Sequence, residues 1–137
     1  MEKRNNSHTT SRLFAGLFLS TGVFALVGAL FTWGEGWLFY QKDLTISLIP
    51  LTDLIFTAPL SLLAGYGIWV KKSCGIALGL VTSGVYMFGS VQVYIMVFSK
   101  APPYPWQLVI PPLVGFGIAI GFLIWVLKHG VLFRVLL

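Results

Sequence analysis

Charge is nearly missing from this chain. Of its 137 residues only 9% are Asp, Glu, Lys or Arg, against about 25% in soluble domains. A surface that poor in charge excludes a water-soluble globule, and a 57% hydrophobic composition excludes a disordered chain. Acids are scarcest, four against nine Lys and Arg. The net charge of +5 does not make a nucleic-acid surface, because the basic residues sit between long uncharged runs instead of along one stripe. Histidine is reduced to His8 and His129, and cysteine to Cys74. A lone cysteine excludes an intramolecular disulfide, and no His/Cys/Asp/Glu group has metal-ligand spacing. No Ser/His/Asp set, phosphate loop or ten-residue polar/apolar alternation of a membrane β-barrel is recognisable. The expectation is a non-enzymatic protein without metal, cofactor or nucleic-acid partner.

What the sequence does contain is four long uncharged stretches, residues 13–34, 54–70, 73–99 and 101–127. A membrane span needs about 20 mostly apolar residues. The reading is an all-α, integral membrane four-helix bundle forming a single domain over 1–137. Its helices are expected at about 13–33, 48–70, 75–98 and 106–127. Lys3, Arg4 and Arg12 precede the first helix, as in a signal peptide. Its apolar core of about 20 residues exceeds the roughly 7–15 of such a segment, so a retained span is expected.

Seven basic residues fall on one side of these helices: Lys3, Arg4, Arg12, Lys71, Lys72, Lys128 and Arg134. Lys42 and Lys100 fall on the other. The positive-inside rule then makes the protein multi-pass with both N- and C-termini cytoplasmic. Cys74 lies in the cytoplasmic Lys-Lys-Ser-Cys turn, as a small turn residue or a site of palmitoylation or redox chemistry. The last stretch, KHGVLFRVLL, is expected at the inner interface or on a partner.

Lipid gives helices no hydrophobic reason to associate, so small residues that allow close approach carry the packing. Gly75, Gly79, Ser83, Tyr86 and Ser90 form a stripe in three- and four-residue steps, and Asp53, Thr57, Ser61 and Gly65 form another. Gly117 and Gly121 mark the fourth helix; Gly16, Ser20, Gly22, Ala25 and Gly28 mark the first. All are expected to face inward. Pro59 should free the Ile55 carbonyl and bend helix 2, and Pro111 and Pro112 should release carbonyls in helix 4.

Asp53 is the strongest site candidate. It lies roughly 8 Å below the outer end of helix 2, and ionisable groups at membrane depth usually face the bundle interior. Thr57 follows it on the same stripe, and equal depth on helix 3 gives Ser90 and Tyr94. The outer loops carry Glu35, Trp37 and Trp106, which either lid a pocket or belong to an aromatic belt and a solvated loop. The candidate ligand-binding set is therefore Asp53, Thr57, Ser90, Tyr94, Trp37, Trp106 and Glu35. Its function would be to bind a cationic or hydroxylated lipophile or relay protons. The structural alternative is a carboxylate favoured near the N-terminus of its helix.

Helix 2 reads DLIFTAPLSLLAGYGIWVKKS. An acid, Phe three residues on, Pro three further, then Tyr and a basic turn resemble the second helix of the EXPERA superfamily. Those four-helix membrane proteins include emopamil-binding sterol isomerases and related lipid-binding proteins. The resemblance maps Asp53, Phe56 and Pro59 and implies a lipid-binding or isomerase protein with an outer-half pocket at Asp53. The residues themselves lead first to an accessory subunit of a membrane complex or a lipid/lipophile-binding module, and third to a small oligomeric transporter. Expected partners are membrane lipids and a membrane protein or further copies of this chain.

Overall fold

A computed structural model of the chain describes residues 2–34, 50–99 and 106–129, with the side chains of 9–34, 50–99 and 109–129. These residues form four helices: α1 (Glu2–Gly34), α2 (Pro50–Trp69), α3 (Ser73–Phe98) and α4 (Trp106–Lys128). The fold is all-α among the described residues, and each helix contains a stretch long and apolar enough to cross a membrane. Charge-free runs located the apolar stretches well. They missed the start of α1, which begins at Glu2 and not near residue 13. A charge marks where hydrocarbon ends, and nothing in residues 2–12 breaks a helix, so the backbone continues through them.

The helices pack in chain order. α2 lies between α1 and α3, α4 lies on α3, and the backbones of α1 and α4 approach only slightly. The α2–α3 hairpin is the tightest contact. Built onto Gly75, a Cβ would lie 2.2 Å from the Gly67 carbonyl carbon, so these helices touch backbone to backbone. Their connection is a Schellman turn. The Lys72 N–H bonds the Gly67 carbonyl (2.9 Å) and the Lys71 N–H bonds the Ile68 carbonyl (3.1 Å). Lys71 occupies the left-handed position at φ 59°, which normally falls to glycine.

Between α1 and α4 the gap is filled by rings. Phe14 meets Phe122 edge-on at 5.3 Å, and Phe18 meets the same ring edge-on at 5.1 Å. Trp125 lies 5.7 Å from both Phe14 and Phe122. Phe122 has room because Gly79 opposes it: a Cβ there would sit 2.6 Å from the ring. Most of the large buried side chains, Phe14, Phe18, Ile68, Phe122, Trp125 and Val126, belong to the end that carries the Lys71–Lys72 turn, with Tyr86 and Ile118 nearer the middle. Toward the other end the buried residues, among those described, are Ala29, Ala58, Ser90 and Val97.

The expected small-residue stripes hold unevenly. Gly75, Gly79, Ser83, Tyr86 and Ser90 are all buried on α3, and Ser61 and Gly65 are buried on α2. On α1 the inward face is Phe14, Ala15, Phe18, Gly22 and Ala29, while Ser20 and Gly28 are exposed. Gly117 of α4 is likewise exposed. These corrections share one cause. Small side chains suit an outward face as well as an interface, and Phe14 and Phe18 turn inward onto the Phe122 ring, for which Gly79 of α3 leaves room.

Candidate functional site

Pro59 explains the local shape of α2. Proline has no N–H, so the Ile55 carbonyl loses its helical partner, and the ring crowds the preceding turn. The chain answers with a π-helical segment, Asp53–Thr57, whose last bond runs from the Ala58 N–H to the Asp53 carbonyl, five residues back. Single π turns inside helices are frequent at functional sites. Here the turn brings the Asp53 carboxylate near the Thr57 hydroxyl. Asp53 is half-buried and lies within electrostatic reach of Tyr86.

Tyr86 is the hub of the interior. Its hydroxyl lies 2.5 Å from the Thr21 hydroxyl of α1 and 2.7 Å from the Ser61 hydroxyl of α2. Thr21 also reaches the Leu17 and Phe18 carbonyls, at 2.9 and 3.1 Å. Ser61 also donates to the Thr57 carbonyl. Three hydroxyl protons thus serve five oxygen–oxygen contacts, and a shift of proton partners requires no heavy atom to move. The cluster joins three helices and ends at the π segment, since its last acceptor is the backbone of Thr57.

Ser90 and Tyr94 are turned to α4. The Ser90 hydroxyl donates to the Pro112 carbonyl (2.7 Å), and the Tyr94 hydroxyl donates to the Val109 carbonyl (3.0 Å). Both fasten α3 to α4 beside Pro111 and Pro112. The acceptors are not the carbonyls that these prolines orphan, which by helical spacing are those of Gln107 and Leu108. Of the candidate set, the structure therefore brings Asp53 and Thr57 together and directs Ser90 and Tyr94 to α4. Trp106 opens α4; its side chain, Glu35 and Trp37 lie outside the described residues.

Two members of the polar interior were not legible as site residues. Tyr86 reads as part of a packing stripe, and Thr21 falls between the small residues of α1. Their signal is weak: each is one hydroxyl among several small or hydroxylated residues of an apolar helix. Two further polar atoms, Ser83 Oγ and Trp125 Nε1, are buried without a hydrogen-bond partner. Among the described residues no three His, Cys, Asp or Glu side chains come together to hold a metal. The hydroxyls bridge helices, and the carboxylate lies near the hydroxyl of Thr57. The chain matches no family model, curated protein or solved structure.

Proposed function

We propose that this chain is a multi-pass integral membrane protein with both termini cytoplasmic, acting without catalysis as an accessory subunit of a membrane complex or a lipid-binding module. One observation carries the reading. The interior hydroxyls of Thr21, Ser61, Tyr86, Ser90 and Tyr94 bond from helix to helix or to main chain, so they act as fasteners. The large apolar side chains Phe24, Phe31, Phe56, Phe88, Phe98 and Leu113 face outward on all four helices. In water that exterior would be an aggregation surface; in a membrane it is a contact surface for acyl chains or another protein.

Photocrosslinkers placed at Phe31 and Phe88 in native membranes test it. Adducts to lipid, to one discrete protein or to a second copy are expected. A lipid extract incubated with the purified protein should return chemically unchanged. A product that forms with the wild type and fails with Asp53→Asn would overturn the non-catalytic reading.

The π segment favours a second reading. It loosens the α-helical ladder beside a half-buried carboxylate, on the stretch that resembles EXPERA proteins. A hydroxylated or cationic lipophile held at Asp53 would then be the cargo or substrate. Asp53→Asn would abolish saturable binding of a photoreactive sterol while thermal stability is kept. Equal labelling of both proteins would remove this reading.

A further inference from the structure

The end of the bundle opposite Asp53 gathers cations from α1, the α2–α3 turn and α4 into one layer. On α1 and α2, the Ala15 carbonyl lies against Gly65, which fixes their relative height. Arg12 stands about 4–5 Å below that contact and Lys71 about 9 Å below it, at 1.5 Å per residue. On α3 and α4, Gly79 lies against the Phe122 ring. Lys72 stands about 10 Å below that contact and Lys128 about 9 Å below it. Arg12, Lys71, Lys72 and Lys128 are all exposed. Their layer is about 5 Å thick.

No carboxylate on the described side chains answers this charge. Asp53 is the sole described acid side chain and stands 18 residues, about 27 Å, from Lys71 along α2. That distance exceeds a screening length of about 8 Å. Glu2 begins α1 some 15 Å from Arg12 along the helix.

The backbone supplies an independent sign. Lys71 holds the left-handed position of the turn at φ 59°, where glycine would cost less. The Gly67–Gly75 contact fixes the turn, so the two lysines are presented from a rigid hairpin. Strained backbone of this kind clusters at functional positions.

We propose that this layer is a binding site for the phosphate headgroup of an anionic phospholipid, centred on Lys71 and Lys72 and flanked by Arg12 and Lys128. A lipid fits better than free phosphate because exposed apolar side chains adjoin the cations. Leu13, Trp69, Val70 and Leu127 are sequence neighbours of the four and would lie along the acyl chains. The site rests on the membrane-spanning reading above and adds a lipid class to it.

Full-length protein in detergent, titrated with phosphatidylglycerol or phosphatidylcholine of the same acyl chains, tests it by native mass spectrometry. Phosphatidylglycerol should be retained at least about five-fold more, the factor one cation near an anionic surface supplies. The K71Q/K72Q double variant should lose most of that preference, while K71R/K72R keeps it. Should the glutamine variant fold poorly, the wild type decides alone: high salt should collapse its preference toward unity. Equal retention of the two lipids, or a preference indifferent to both salt and glutamine, overturns the site. Capture of soluble glycerol phosphate as well as the lipid would overturn the lipid assignment. Failure of the membrane reading itself would show differently, as a chain that stays monodisperse without detergent.

Discussion

Gly67 and Gly75 share a contact that leaves no space for a methyl group: a Cβ on Gly75 would fall 2.2 Å from one Gly67 backbone carbon and 2.8 Å from the other. The α2–α3 hairpin exists in its present form because both positions lack a side chain. Gly75→Ala must push two backbones apart, and overpacking of this kind costs about 1–3 kcal/mol or more. At Gly84 a methyl group would meet nothing within 4 Å, so alanine there should cause no loss of stability. Thermal melts in one detergent compare them; equal melting temperatures would contradict the packing.

A second test uses the hole beneath Phe122. Gly79→Leu would drive a branched side chain into the ring, whereas Ile76→Leu exchanges near-isosteres on a partly buried position. The first should lower the melting temperature sharply, and the second should cost less than about 1.5 kcal/mol. Similar melting of the two variants would refute the ring-in-hole arrangement.

Tyr86→Phe removes the shared hydroxyl but leaves Thr21 and Ser61 their carbonyl acceptors. The loss should be modest, about 0.6–1.7 kcal/mol, as for other hydrogen bonds between membrane helices. A double-mutant cycle with Thr21→Val should show coupling, because the oxygens stand 2.5 Å apart. Strict additivity would mean that the contact contributes nothing between the helices.

Lys71→Gly should raise stability by about 0.5–1 kcal/mol, since glycine adopts φ 59° without steric cost. The same change should weaken retention of anionic lipid. Stability and binding moving in opposite directions would distinguish a retained functional lysine from an incidental one. Measured in mixed-micelle unfolding, a destabilised Lys71→Gly would contradict the turn geometry.

Cys74 is exposed beside this turn. In intact cells an impermeant maleimide should leave it unlabelled, and permeabilisation should expose it. Labelling from outside would reverse the proposed orientation.

The helices were readable because hydrocarbon tolerates so little charge that its boundaries are written in Lys, Arg, Asp and Glu. The inward face of α3 was readable because its small and hydroxylated residues repeat every three or four positions. The face of α1 was not. Gly16, Ser20 and Gly28 suit an interface, but Phe14 and Phe18 occupy it, a choice that depends on Gly79 two helices away. The rotation of Ser90 and Tyr94 was not readable, and rotation aims them at α4. The π segment has only Pro59 as its sequence signal. A missing N–H announces a broken ladder without saying whether the chain kinks or widens.

The uneven distribution of large buried side chains makes the bundle unequal as a machine. Work needed to part α1 from α4 is greatest at the Lys71 end, where rings interlock, and falls toward Asp53, where alanine and serine fill the core. On that packing the bundle should open more easily at one end, like tongs sprung at the base. Amide hydrogens of residues 75–83 should exchange slowest, and those around the π segment much sooner. A hydrophobic molecule arriving from the side would meet its lowest barrier to entry between the helix tips near Asp53.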